Sequence, residues 1–444
     1  MTLIERAREA WMKCASLRET RRRLMRYTYG RQWDDPVRHP AHGIITEGQF
    51  MELQHRTPLT NNLLRSLVKG VVGRFRYNLA LAASGDTEGP QLFGQATSRL
   101  PEGVAEGNRI DELDARMLEE FLISGCAIQH ISVEGRPGGG PNVWVDNVSP
   151  ARFFCNRFLD HRGQDLRLVG MIHEMSREEM LMRFGRSKSK AKVVAKAFAA
   201  SSGELRVAGV DLAREDDNES FDYPSDPELC RVIEVWTYEV DVTRRRPTGK
   251  WMCSFMTADG TELKRMESPF GHGEHPFVIK FYPLTDGEVH PFIEDVIDQQ
   301  RHINRLISEI DTVLAHAAKG TLLFPQEALI GGMTVEQQVG LWNQPGAVIT
   351  YKGGPDNMPR EVHSTLQTQG VSQLLETEMQ LFRQISGVSA ALQGESVGNS
   401  TSASLYDAQV ANSTIGLLDI FATFNSFRAM RDEKVMRSGP GNII

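Results

Sequence analysis

Residues 292–319 read FIEDVIDQQRHINRLISEIDTVLAHAAK, and residues 365–385 read TLQTQGVSQLLETEMQLFRQI. In the first stretch Val296, Ile303, Ile310 and Ala317 recur every seven residues, with Leu306 and Val313 three places after Ile303 and Ile310. Such a repeat keeps one apolar seam facing a partner helix over about 40 Å, at 1.5 Å rise per residue. The second stretch repeats the idea with Val371, Leu375, Phe382 and Ile385. Between them the chain is punctuated by Gly320, Pro325, Gly331, Gly332, Pro345, Gly346, Gly353, Gly354 and Pro355. Residues 321–324 and 347–351 read as short strands of a small tip. A Gly/Ser-rich loop closes the second helix. Two long helices joined by a small tip describe a rod with a head, an unusual frame for an enzyme core.

The bulk composition is globular, 40% hydrophobic and 24% charged over 444 residues, enough for two or three domains. A net charge of −7 and a pI near 6.0 exclude the general basic footprint of a nucleic-acid binder. Contact with DNA would be non-adhesive or confined to a local basic patch. The five cysteines, Cys14, Cys126, Cys155, Cys230 and Cys253, lie far apart in sequence and form no CxxC pair. That pattern argues against a disulfide framework or a zinc knuckle and reads as reduced thiols in a cytosol-assembled protein. The N-terminus MTLIERAREAWMKCASLRETRRRL is charged from its fifth residue and has no apolar signal core. No run reaches the roughly eighteen apolar residues of a membrane span, so a soluble protein is expected, with no cofactor and no metal.

Outward from the long helices, residues 1–30 read as one charged amphipathic helix ending near Gly30, with Ile4, Ala7, Trp11 and Cys14 on one face. Asn61 is a good N-cap for a helix whose apolar face is Leu64, Leu67, Val68, Val71 and Phe75. A helix over 109–124 precedes strands at 127–133 and 142–148, and residues 178–200 return to helix. Residues 203–227 are acidic and Ser/Asp-rich, an exposed loop. Trp236, Tyr238, Val240 and Val242 then alternate with polar residues as a half-buried antiparallel strand. Trp251, Cys253 and Phe255 continue the meander, with a turn at Asp259-Gly260. Residues 402–435 read as a final helix with Leu405, Ile415, Leu418, Phe421 and Phe424 as core. The class is α+β.

Three stretches carry a family resemblance: Tyr29-Gly30-Arg31-Gln32-Trp33 followed by the Thr60-Asn61-Asn62 helix start; Glu294-Asp295 through Gln299-Gln300 to Asn304; and Ile385-Ser386-Gly387-Val388-Ser389 followed by a polar loop and a long helix. In this order they resemble a tailed-phage portal protein across nearly the whole chain. The resemblance implies a ring, usually of twelve subunits, at one capsid vertex in the virion. It implies a wing over 1–290, stem helices over 291–319 and 363–386, a small α/β clip over 320–362, and a tunnel loop over 387–401. A long wing helix would cover 402–437 and a short tail 438–444, leaving the crown minimal or absent. The implied partners are further copies of the chain, the major capsid protein, the terminase large subunit, a head–tail adaptor, and double-stranded DNA passing through the channel.

The same resemblance makes Glu294, Asp295, Asp298, Arg301, Arg305, Glu309 and Asp311 candidates for the channel wall, where acids would repel phosphate. Arg301 and Arg305, one helical turn apart, could pair with acids of a neighbour or hold phosphates weakly. Gly387, Gln393, Glu395, Ser396, Asn399 and Ser400 are the tunnel-loop candidates, and the plainer reading of that loop is a helix–helix linker. Phe324, Trp342 and Tyr351 are candidates for clip contacts. Val296, Ile303, Leu306, Ile310, Val371, Leu375 and Phe382 are expected to pack the stem.

Other signals point elsewhere and are weaker. Gly394-Glu395-Ser396-Val397-Gly398 fits the GxSxG pattern of a serine hydrolase, but a helix precedes it and the last histidine, His363, lies upstream. A different virion protein such as a head–tail adaptor is the remaining alternative, and it would lack the helix–tip–helix order. Gly138-Gly139-Gly140 reads as a hairpin turn, with no Lys-Ser/Thr after it to make a phosphate cradle. His39 with His42, and His272 with His275, are spaced like metal ligands but lack carboxylate or cysteine partners. Trp11 and Trp33 read as core or interface aromatics. Arg21-Arg22-Arg23 and Arg244-Arg245-Arg246 read as solvated clusters or basic patches.

Overall fold

Residues 230–241, CRVIEVWTYEVD, set the architecture, because they alternate into two apolar rows that both need cover. The computed structural model describes residues 1–83, 100–135, 143–156, 158–161, 163, 165–201, 220–224, 226, 228–241, 248–319, 321–323, 334, 337, 360–362, 368–388 and 417–438. It is an α+β chain. Helices α1 (Leu3–Lys13) and α2 (Ala15–Thr28) precede a hairpin of β1 (Pro36–His39) and β2 (Gly43–Thr46), which runs into α3 (Glu47–Leu53). Next come α4 (Leu63–Ala83), α5 (Glu102–Asn108), α6 (Ile110–Ser124), β3 (Cys126–Val133), β4 (Val143–Asn147), β5 (Phe153–Cys155) and β6 (Leu168–Met175). Then α7 (Arg177–Phe184), α8 (Lys188–Ser201), β7 (Cys230–Asp241), β8 (Thr248–Thr257), β9 (Glu262–Glu267) and β10 (Phe277–Phe281) follow. The short β11 (Leu284–Thr285), β12 (Glu288–Val289) and a 3-10 turn (Phe292–Val296) lead into α9 (Ile297–Lys319). Finally β13 (Thr321–Leu323), β14 (Arg360–Val362), α10 (Thr368–Ser386) and α11 (Leu418–Ser438) end the described chain.

Two units emerge: Met1–Arg31 with Asn62–Ile297 and Arg383–Ile444, and Gln32–Asn61 with Asp298–Phe382. The larger holds an antiparallel meander in the order β5-β6-β7-β8-β9 and a second antiparallel sheet in the order β10-β3-β4. In β7 one row, Cys230, Val232 and Trp236, joins Phe153, Phe255, Phe277 and Ile279 in a core that spans both sheets. Met180 and Phe184 of α7 and Val194 and Ala197 of α8 belong to the same core. The opposite row, Ile233 and Val235, packs with Ala7, Ala10 and Trp11 of α1. Each large apolar side chain so covered contributes roughly 1.5–3 kcal/mol. The strand is therefore longer than the 236–242 alternation suggests, and its first half is covered on both faces. At Gly170 on β6 a Cβ would meet the Glu234 carbonyl oxygen at 2.3 Å and the Phe154 ring at 2.5 Å, so the sheet closes there only around a glycine.

Several local expectations shift. The helix expected over 1–30 is two helices that meet at Cys14, whose φ of −87° and ψ of 9° leave the helical region. It stops before Gly30, which takes the left-handed φ of 92° that other residues avoid. The cap of α4 is Asn62, one residue beyond the expected Asn61. Its Oδ1 accepts the Arg65 amide at 3.0 Å, and its Nδ2 donates to the Thr28 carbonyl at 2.9 Å. The helix expected over 178–200 breaks into α7 and α8, and α7 begins at a capping box of Ser176 and Glu179. At β8–β9 the turn is as read: Gly260 has φ 90°, and Asp259 Oδ2 accepts the Thr261 hydroxyl at 2.8 Å.

The smaller unit contains the β1–β2 hairpin, α3, most of α9, the β13–β14 ladder and most of α10. Thr321 pairs with Val362 and Leu323 with Arg360, so a short antiparallel ladder closes the segment between the long helices. Of the two strands expected at the tip, 321–324 matches β13, and 347–351 lies outside the described residues, as do 203–219 and 402–416. Residues Gln32–Asn61 share this unit with α9, although sequence alone groups them with the rest of 1–290.

Candidate functional site

The polar side of α9 is used by its own chain. Gln300, Asn304 and Ser308 recur every four residues on one face and are buried. Gln300 Nε2 donates to the Asn61 carbonyl at 2.7 Å and to Asn304 Oδ1 at 3.1 Å. Asn304 Oδ1 accepts the Asn61 amide at 3.0 Å, and its Nδ2 donates to Gln32 Oε1. Ser308 Oγ accepts the Leu59 amide at 2.9 Å. Main-chain groups of Leu59 and Asn61, which belong to no strand, thus find their partners in helix side chains instead of a ladder. Trp33 Nε1 donates to Thr60 Oγ1 at 3.1 Å and ties the same segment back on itself.

Beside this face, Glu47 is the first residue of α3, where the helix dipole favours an acid. Its buried carboxylate pairs with Arg301 at 3.2 Å and with Arg305. The sequence left those arginines between a neighbour's acids and phosphate; their acid is on the same chain. Glu309 pairs with Arg56 at 3.0 Å, an exposed contact of little energetic weight. His302 Nδ1 meets Glu378 Oε1 at 3.0 Å and joins α9 to α10.

Glu294, Asp295, Asp298 and Asp311 are exposed. Asp298 and Asp311 stand thirteen residues apart, which at about 100° per residue separates them by roughly 140° around the helix. The acids therefore do not form one strip. Among the packing candidates Val296, Ile303 and Phe382 are buried, while Leu306, Ile310, Val371 and Leu375 are half-buried. Leu314 is 54% exposed, and Leu374, Leu381 and Ile385 on α10 are also open. The apolar surface of the two helices exceeds what the described residues cover. Gly387 ends α10 with φ 65°, its amide donating to the Gln384 carbonyl at 3.3 Å. Gln393, Glu395, Ser396, Asn399, Ser400, Phe324, Trp342 and Tyr351 lie outside the described residues, as do Gly138-Gly139-Gly140 and Arg244-Arg245-Arg246.

The histidine pairs act as local acceptors. His39 Nδ1 accepts the Ala41 and His42 amides at 3.2 and 3.3 Å, and His272 and His275 accept the amides of Glu274 and Phe277. Burial, with Lys434 nearby, lowers His272 to about 4 and holds His275 well below the usual imidazole range. Among the described residues no three His, Cys, Asp or Glu side chains group as metal ligands, and no helix is long and apolar enough to cross a membrane. Arg21 makes a bidentate pair with Glu120 at 2.7 and 2.8 Å. Trp11 is core, and Arg18 lies over its ring at 3.6 Å.

Two buried charge clusters in the larger unit escape a reading of sequence. Asp114 on α6 accepts Arg428 Nε at 2.7 Å and Arg431, and Arg431 Nε also donates to Asp432 Oδ1 at 2.8 Å. The signal was there: Asp114 interrupts an apolar stripe between Ile110 and Leu118, a position where an acid needs a buried partner. Glu234 on β7 receives His173 Nε2 at 2.6 Å, His130 Nε2 at 3.3 Å and Trp236 Nε1 at 2.6 Å. Burial pushes its carboxyl up, but the two imidazoles outweigh that and hold it well below the usual carboxylate range. No pattern within β7 foretells this, because the partners come from β3 and β6.

A family model described as Phage P22-like portal protein matches residues 4–437. No curated protein matches the chain.

Proposed function

The chain belongs to the P22-like phage portal protein family, and from that premise we propose that it assembles into a ring of about twelve copies forming the DNA channel at one capsid vertex. The family is one of structural, non-enzymatic virion components that serve genome packaging and connect head to tail. In this reading α9 and α10 are the stem and the β13–β14 segment is the base of the clip. Residues 387–401 are the tunnel loop. The observation that carries the reading, beyond the family match, is the apolar surface left open at Leu314, Leu374, Leu381 and Ile385, which neighbouring copies would cover. The net charge of −7 per chain fits a conduit that passes DNA without gripping it.

In the ring, the exposed Glu294, Asp295, Asp298 and Asp311 supply repulsion around the stem, and the in-chain pairing of Arg301 and Arg305 with Glu47 keeps two cations from phosphate. The packaging motor's terminase large subunit and the head–tail adaptor dock in turn at the clip end, and the major capsid protein surrounds the wing. Native mass measurement and electron microscopy of the purified full chain test this. Rings of about twelve subunits with a central channel are expected, and a stable monomer under assembly conditions would overturn the proposal.

A further inference from the structure

The cysteines read as scattered in sequence are not all scattered in space. Cys14 stands at the junction of α1 and α2, Cys155 ends β5, and α1 packs on β5. The Cys14 thiol donates to the Cys155 carbonyl at 3.7 Å, which brings the junction of the two helices against the end of β5. Cys14 is half-buried and Cys155 buried. Both line a cavity of about 660 Å³ together with Lys13, Leu17, Asn156 and Phe281, wide enough to admit a small reagent.

We propose that Cys14 and Cys155 form a thiol modification site that small-molecule disulfides of the glutathione class oxidise to an intramolecular disulfide. The Cys14 thiolate attacks one sulfur of the reagent, forming a mixed disulfide and expelling one small thiolate. Cys155 gives its proton to solvent and attacks the Cys14 sulfur, forming the protein disulfide and expelling the second. Two protein thiols are oxidised and one small disulfide is reduced to two thiols.

The order of attack follows from the surroundings. The interaction with Cys155 lowers Cys14, and the same interaction together with burial raises Cys155. Thiolate character and access through the cavity therefore coincide at Cys14. The remaining thiols are poor competitors: burial pushes Cys230 up to about 12 and raises Cys126 and Cys253 as well. The bond formed would tie the junction of the first two helices to the edge of the meander.

The full chain in its assembled form, incubated with oxidised glutathione at neutral pH and then blocked with N-ethylmaleimide, tests this by tryptic mapping. A cross-link between the peptides of residues 14–18 and 153–157 is expected, reversed by dithiothreitol. The thermal midpoint should rise by several degrees on oxidation and return on reduction. Cys14→Ser should show neither change. If Cys14 stops at the glutathione adduct while Cys155 is alkylated, or if another cysteine reacts first, the pairing is refuted; the wild-type map alone decides this.

Discussion

Asp114→Asn is expected to destabilise the larger unit by about 3–4 kcal/mol. The carboxylate and both guanidiniums it holds are at most 4% exposed, so water cannot replace the lost charge. Each charge-assisted hydrogen bond contributes roughly 1.5–3 kcal/mol, and breaking a buried pair costs about 3–5 kcal/mol. The retained Asp432, 2.8 Å from Arg431, offsets part of that and moves the figure to the lower end. Asparagine keeps the volume, so no cavity term enters, but its amide turns a donor toward a guanidinium. Two assays read the effect: urea unfolding of the full chain followed by circular dichroism, and hydrogen exchange in α6 and α11. A loss below about 1 kcal/mol with an unchanged denaturant slope would refute the argument, since it would mean the cluster is hydrated.

Acidification should weaken the fold in two stages. His272 and His275 are lowered, so the folded state holds fewer protons than the unfolded one from about pH 6.5 down to their folded values, and stability falls through that window. Glu234 is held below 4.5, so its contribution persists above that pH and is lost only as pH falls further, toward its folded value. Thermal midpoints from pH 7 down to about pH 2 check both stages, and His275→Asn should flatten the first. Asn62→Ala removes the α4 cap and should cost about 1–2 kcal/mol, read as faster amide exchange at residues 65–68. Gly170→Ala forces a Cβ against backbone and should cost at least 1–3 kcal/mol in urea unfolding. Glu47→Gln should leave α9 folded while exchange in α3 quickens by roughly tenfold, a loss of about 1.4 kcal/mol.

Legibility in the sequence followed the range of the interactions. The long helices were readable because a heptad row lies within one segment, and the β8–β9 turn because Asp259-Gly260 carries its own stereochemistry. Asn62 was missed by one residue, since Asn61 and Asn62 are equally good caps. The choice falls to Thr28 and α9, which engage one each, and neither is near in sequence. Gln32, Leu59 and Asn61 gave no sign of belonging with Asn304, Ser308 and Gln300, because their pairing spans some 250 residues and uses amides rather than an apolar pattern. The charges on α9 were seen, but their partners were not. A helix wheel shows which side chains share a face and is silent on what meets it.

A helix held only by apolar contacts can turn or slide by small steps at little energetic cost, because such contacts have no direction. α9 is fixed differently, by hydrogen bonds from three successive turns to the main chain of residues 59–61. Each bond is directional, so rotating α9 by one residue would break all three together. The helix therefore transmits torque and axial load to the 32–61 segment as one stiff piece, and any motion of α9 must carry that segment with it.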